Sequence, residues 1–213
     1  MAELNLETDK MAAEFFGVLV LAMVGVASAG SVKADPVVAG LTLAAVVTLT
    51  MKVSGGYLNP AITLGQVFRG KMDWQVGVWY IICQSLGAVV GVIVVTQIMD
   101  HKTYGAQSTG ADGMDMAKVI AAELIATAVL MWAWIASVNE GKTPGVAGFA
   151  VGIVSWGMWS IGAFSMNPGL HLGYAVNEGI HSSLWIYWVG PVLGAVVACY
   201  LYDQFCSADA EEE

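Results

Sequence analysis

The chain has 213 residues, 57% hydrophobic and 12% charged, with a mean hydropathy of +0.69. Soluble domains carry about 25% charged residues, so this chain cannot clothe an ordinary water-facing surface and instead suits repeated bilayer crossing. Its net charge of −9 argues against nucleic acid as a partner and lies largely in two solvated tails, 1–10 and 207–213.

The N-terminus is acidic at Glu3, Glu7 and Asp9, unlike the basic start of a cleaved signal. The first apolar run, 11–30, is long enough to span and stay. Further spans are predicted at 36–53, 74–98, 117–138, 145–164 and 183–205, each near the roughly 20 residues that a bilayer helix needs. Two shorter segments remain, 59–68 and 167–177. At about 1.5 Å per residue neither can cross alone. Both open on Asn-Pro, at Asn59-Pro60 and Asn167-Pro168. Asn is a good N-cap and Pro is tolerated at the first helical position, so both segments read as helix starts.

The chain aligns with itself. At offset 109, Glu14 meets Glu123. At offset 108, Pro36 meets Pro144, Gly40 meets Gly148, Asn59-Pro60 meets Asn167-Pro168, and Gly65 meets Gly173. At offset 107, residues 86–90 meet the identical 193–197. This pattern predicts one channel-like domain built from repeats 11–98 and 117–205. Each repeat has three spans and a half-span, so the second copy is inverted in the membrane. Inverted repeats of this kind form a pathway at their interface, near the midplane. With the termini cytoplasmic, Lys10, Lys52, Arg69, Lys71 and Lys142 lie inside, and Lys33, Lys102 and Lys118 outside. The excess inside favours that orientation.

Two half-helices entering from opposite faces would meet N-terminus to N-terminus. Each end carries about half a positive charge and several unpaired N–H groups, which repel cations and tolerate neutral solutes. Upstream backbone at 54–57 and 162–165 can offer carbonyl acceptors.

Val53-Ser-Gly-Gly-Tyr-Leu-Asn-Pro-Ala-Ile-Thr-Leu-Gly65, with the second Asn-Pro box at 167, resembles the boxes of the major intrinsic protein family, the aquaporins and aquaglyceroporins. Residues 80–88 and 187–195 resemble that family's third and sixth spans. The resemblance implies an all-α membrane protein with six transmembrane helices and two re-entrant half-helices in an inverted repeat. It also implies a homotetramer with one pore per protomer, and exclusion of ions as in aquaporin-type pores. The caps would be Asn59, Pro60, Ala61, Asn167, Pro168 and Gly169.

The second box departs from the family's usual Asn-Pro-Ala-Arg, reading Asn167-Pro168-Gly169-Leu170. Counting from the Asn residues, the resemblance places the constriction at Ala39, Ser155, Phe164 and Leu170: small, apolar and uncharged. It thereby implies a wider, greasier opening than a strict water channel, passing water, glycerol, urea, ammonia or hydrogen peroxide. Trp156 or Trp159 could refill it. Lys52 could mark the inner mouth or merely snorkel. His171 could replace the missing charge and gate the pore, or simply pack.

Glu14 and Glu123 are intramembrane carboxylates, functional candidates by default. By resemblance they hold the unwound loops through backbone N–H groups, with Gln84 in a similar role. Cys83, Cys199 and Cys206 read as small buried hydrophobes. The sequence shows no nucleophile–base set, metal cluster or phosphate loop, so no enzyme, metal or cofactor is expected. Two rivals to a solute channel remain: a non-conducting structural or interaction subunit on the same fold, and an ion-leaky channel. Coupled transport is the weaker case, since no coupling-ion site is legible.

Overall fold

The computed structural model describes residues 7–28, 35–99, 115–139, 144–159, 165–178 and 183–206. Within these lie eight helices: α1 (Thr8–Ser28), α2 (Asp35–Ser54), α3 (Pro60–Phe68), α4 (Trp74–Met99), α5 (Met116–Asn139), α6 (Pro144–Trp159), α7 (Pro168–Glu178) and α8 (Ile186–Phe205). Five are long and apolar enough to cross a membrane, namely α1, α2, α4, α5 and α8, and Pro144–Gly157 in α6 is a shorter apolar helix. Residues 160–164 of the fifth predicted span lie outside the described residues. The sixth begins late: residues 183–185 form a turn, and α8 starts at Ile186.

The packing has a two-fold logic. Helix α1 packs on α2 and α4, as α5 packs on α6 and α8. Across the repeats α2 meets α6, α3 lies against α8, and α7 lies against α4. "Inner" below denotes the side holding the start of α1 and the end of α8.

Burial is inverted relative to a water-soluble protein. Phe16, Leu49, Leu86, Ile93, Ile125 and Val197 are exposed, whereas Glu14, Asn59, Gln84, Glu123 and Asn167 are buried. A lipid-facing surface accepts apolar side chains and forces polar ones inward, where they must find partners. Trp74, Trp79 and Trp185, near span ends, are exposed, as interfacial anchors are.

Small residues let the long helices touch. A Cβ on Gly87 would collide with the Phe15 carbonyl of α1, and one on Gly194 with the Leu124 carbonyl of α5. The Gly87-xxx-Gly91 and Gly190-xxx-Gly194 stripes therefore pack spans within one protomer. Among the cysteines, Cys199 is buried and Cys83 half-buried, but Cys206 is exposed. Cys206 thus departs from the expectation of a buried hydrophobe because it follows the last turn of α8.

Candidate functional site

Helices α3 and α7, of 9 and 11 residues, are about two and a half and three turns long, and each is opened by Asn-Pro. The Asn59 side-chain oxygen accepts from the Ala61 N–H at 2.8 Å. The Asn167 oxygen accepts from the N–H groups of Gly169 at 3.0 Å and Leu170 at 3.2 Å. Both Asn residues therefore cap their helices and satisfy N–H groups that helix ends leave unpaired.

The amide nitrogens point the other way. Asn59 Nδ2 donates to the Met166 carbonyl at 2.7 Å, and Asn167 Nδ2 donates to the Leu58 carbonyl at 2.8 Å. The two half-helices are thus stitched head to head. Their first turns also touch: a Cβ on Gly169 would sit 3.3 Å from the Pro60 ring, so glycine here allows a close approach that alanine would crowd. Each amide retains a second N–H for the cavity, since the NH₂ group has two donors.

Leu58 and Met166 immediately precede the two Asn residues. Both are in the left-handed region, at φ 54° and 53°, which costs side-chain-bearing residues about 1–3 kcal/mol. Both are clamped at each end. The Leu58 N–H donates to Glu14 Oε2 at 2.6 Å, and the Met166 N–H donates to Glu123 Oε2 at 2.8 Å. Their carbonyls take the opposite Asn amides.

Glu14 also accepts from Ser54 Oγ at 2.6 Å, the Tyr57 N–H at 3.1 Å and Gln84 Nε2 at 2.7 Å. Glu123 also accepts from the Ser165 N–H at 2.9 Å. Both carboxylates are fully buried. The geometry gives them loop-holding contacts rather than a place in the lumen.

A cavity of about 60 Å³ runs past the Asn pair. One water needs about 10–15 Å³ on this scale, so the cavity holds a short file of about four to six waters. Its walls include Ala39, Ser155 and Leu170 together with Asn59 and Asn167. Hydroxyl-bearing Thr42, Tyr57, Ser165 and Tyr174 add polar points to an otherwise apolar lining of aliphatic and aromatic groups, and no charged side chain lines it among the described residues.

Phe164, the fourth expected constriction residue, lies outside the described residues, as do Gly162 and Ala163 with their carbonyls. Trp156 does not refill the opening. It faces a surface groove between α2 and α6 with Gly40, Leu41, Phe149 and Ile153. The side chain of Trp159 lies outside the described residues.

Of the two gating candidates, His171 departs from its sharper reading, while Lys52 stands in the last turn of α2, where an inner-mouth or a snorkelling residue would equally stand. Lys52 is exposed and supplies no wall of the cavity. His171 is fully buried, stacked on Tyr187 with ring centres 3.5 Å apart, and likewise outside the lining. The reason is helical register. Leu170 faces the lumen, and a residue one place along a helix turns by about 100° toward the neighbouring helices.

Sequence reasoning missed several participants. Tyr57, Trp134 and Tyr174 line the cavity, yet aromatic residues in apolar helices, as Trp134 and Tyr174 are, ordinarily read as core, and Tyr57 reads only through its loop backbone. It also missed the tether of α3. Arg69, whose side chain is 3% exposed, caps α3 and meets Asp203 of α8 with Nη2 at 2.6 Å and Nε at 3.0 and 3.1 Å from the two carboxylate oxygens. A fork-on-carboxylate pair of this kind is strongly directional.

A family model described as "Major intrinsic protein" matches residues 4–202. The chain is 35% identical to the probable aquaporin TIP2-2 of Oryza sativa subsp. japonica, over 89% of this chain and 84% of that one. It is 32% identical to Aquaporin-4 of Mus musculus, over 94% of this chain and 68% of the relative. In fold it is similar to the X-ray structure of the aquaglyceroporin from Plasmodium falciparum. That match has a TM-score of 0.85 at 23% identity and covers 97% of this chain and 99% of the other.

Proposed function

The chain belongs to the major intrinsic protein family, and from that premise we propose that it is a pore for small neutral solutes whose opening lacks a fixed charge. The coarser statement is plain: this is an integral, multi-pass membrane channel for water or small solutes, and not an enzyme. The finer reading extends the cargo to glycerol, urea, ammonia and hydrogen peroxide. It takes Ala39, Ser155, Phe164 and Leu170 as the outer constriction, with Asn59 and Asn167 as the midplane donors.

One observation carries it. The cavity beside the two stitched half-helices is walled by amides, hydroxyls, aliphatic groups and aromatic rings, with no charged side chain among the described residues. Such a wall offers a neutral solute hydrogen bonds on one side and apolar contact on the other. Cation exclusion then rests on the two helix N-termini and on the cost of dehydrating an ion in a narrow, weakly polar passage. The assembly is a homotetramer with cytoplasmic termini, built from repeats 11–98 and 117–205.

Light-scattering kinetics on proteoliposomes test this reading. The wild type is expected to pass glycerol above the empty-liposome rate. Leu170→Arg is expected to slow glycerol by about tenfold, equivalent to about 1.4 kcal/mol of barrier, and to slow water less. If neither solute outpaces empty lipid while the protein remains folded and oligomeric, the non-conducting subunit becomes the better reading. The uncharged lining also motivates the ion-leaky alternative, which planar-bilayer recording excludes if no current accompanies solute flux.

A further inference from the structure

We propose that the steric filter of this pore is the ring pair Tyr57–Trp134, set on the inner side of the Asn pair. The proposal rests on the channel reading above and deepens it.

Four observations converge. First, Tyr57 and Trp134 both line the cavity, and their ring centres lie 4.9 Å apart at an interplanar angle of 35°. That is direct contact between two large, flat groups. Second, both rings are held. Tyr80 packs edge-on against Tyr57 at 5.5 Å and donates its hydroxyl to the Ser54 carbonyl at 3.0 Å. Trp134 Nε1 reaches the Gly56 carbonyl in a long hydrogen bond of 3.4 Å. This last contact engages one of the carbonyls that an unwound loop would otherwise present to solute.

Third, topology puts the pair on one side only. The loop 55–58 returns from the inner end of α2 to the midplane, and Trp134 lies near the inner end of α5. Fourth, the repeat makes the asymmetry explicit. At offset 108 Tyr57 corresponds to Ser165, and at offset 109 Trp134 corresponds to Gly25. Ser165 and Gly25 line the same cavity. Two of the largest side chains on the inner side thus face two of the smallest on the outer side.

The outer side is not left empty. The Tyr174 hydroxyl occupies the space beside Gly25, 2.5 Å from where a Cβ would stand. Among the described residues it presents a polar tip rather than a pair of packed rings. Pore width is a determinant of passage for neutral solutes, so the locked ring pair sets the size limit.

The test uses full-length protein in liposomes and compares glycerol with water. Trp134→Leu is expected to raise the glycerol rate by about tenfold and to raise the glycerol-to-water ratio. Trp134→Phe keeps a smaller aromatic face and removes the N–H, and is expected to raise the ratio less than Trp134→Leu does. Tyr57→Leu opens the pair from the other side and carries the test if Trp134→Leu is not recovered folded. An unchanged ratio in the leucine variants, with a wild type that conducts water, overturns the filter and leaves the channel reading standing. Wild type and variants all at the empty-liposome rate would overturn the channel reading and the filter with it.

Discussion

The two Asn-Pro boxes are copies of one device that have drifted apart, and the places where they differ separate scaffold from selectivity. What they share is backbone work. Each has an N-capping Asn, a preceding residue at positive φ, a buried carboxylate holding that residue's N–H, and an amide that crosses to the other box. What differs is side chain. Tyr57 stands where the second box has Ser165, Ala61 where it has Gly169, and Thr63 where it has His171.

The last difference explains His171. Thr63 bonds to Gln84 with their side-chain atoms 3.0 Å apart, and Gln84 continues to Glu14. At offset 107 the counterpart of Gln84 is Pro191, which has no side-chain amide, and the counterpart of Tyr80 is Tyr187. His171 therefore stacks on the Tyr187 ring. A polar chain in one repeat is replaced by a ring stack in the other.

The strongest way to break the shared device is Glu14→Ala. It would strip an acceptor from Ser54, Tyr57, Leu58 and Gln84 at once, and each buried donor left unpaired costs about 1–3 kcal/mol. No folded, monodisperse protein is expected on size-exclusion chromatography in detergent. Recovery equal to wild type would refute the tether.

Next is the head-to-head junction. Asn167→Asp replaces the amide donor to the Leu58 carbonyl with a carboxylate at the meeting point of two positive helix ends. Cation current in planar bilayers is expected to rise, and a silent bilayer would show that the helix ends do not carry the exclusion. A third effect concerns the first box alone. Asp203→Asn weakens the partner of a nearly buried Arg69. Because Asp203 is itself partly exposed, about 2 kcal/mol is expected, read as an earlier thermal unfolding transition. The smallest effect sharpens the contrast at His171. His171→Phe preserves a ring against Tyr187 and is expected to leave water and glycerol rates unchanged, because the side chain is outside the lumen. A large change in either rate would return His171 to the pore.

Much of the architecture was legible because bilayers impose strict rules. Apolar length identifies most spans, and an Asn-Pro pair that heads too short a run marks a half-helix. The loop-holding role of Glu14 and Glu123 came with the family resemblance, to which their matching positions in the two repeats added support. The α3 tether was not. Arg69 and Asp203 are 134 residues apart and look like ordinary charges at span ends.

By itself the sequence determined that the chain lives in a membrane, that it is duplicated, and where the two half-helices start. These follow from composition, period and local capping chemistry, which act over a few turns of chain. Only the tertiary structure decided which side chains meet the lumen. That choice depends on the rotation of each helix about its axis and on contacts between distant segments. One residue of register separates Leu170 in the wall from His171 buried behind it. Trp134, inside an apolar span, reads as core, and Tyr57 reads only as part of a loop that offers carbonyls. They become pore walls because an unwound loop, held by Glu14, carries Tyr57 back to the midplane and sets it against α5.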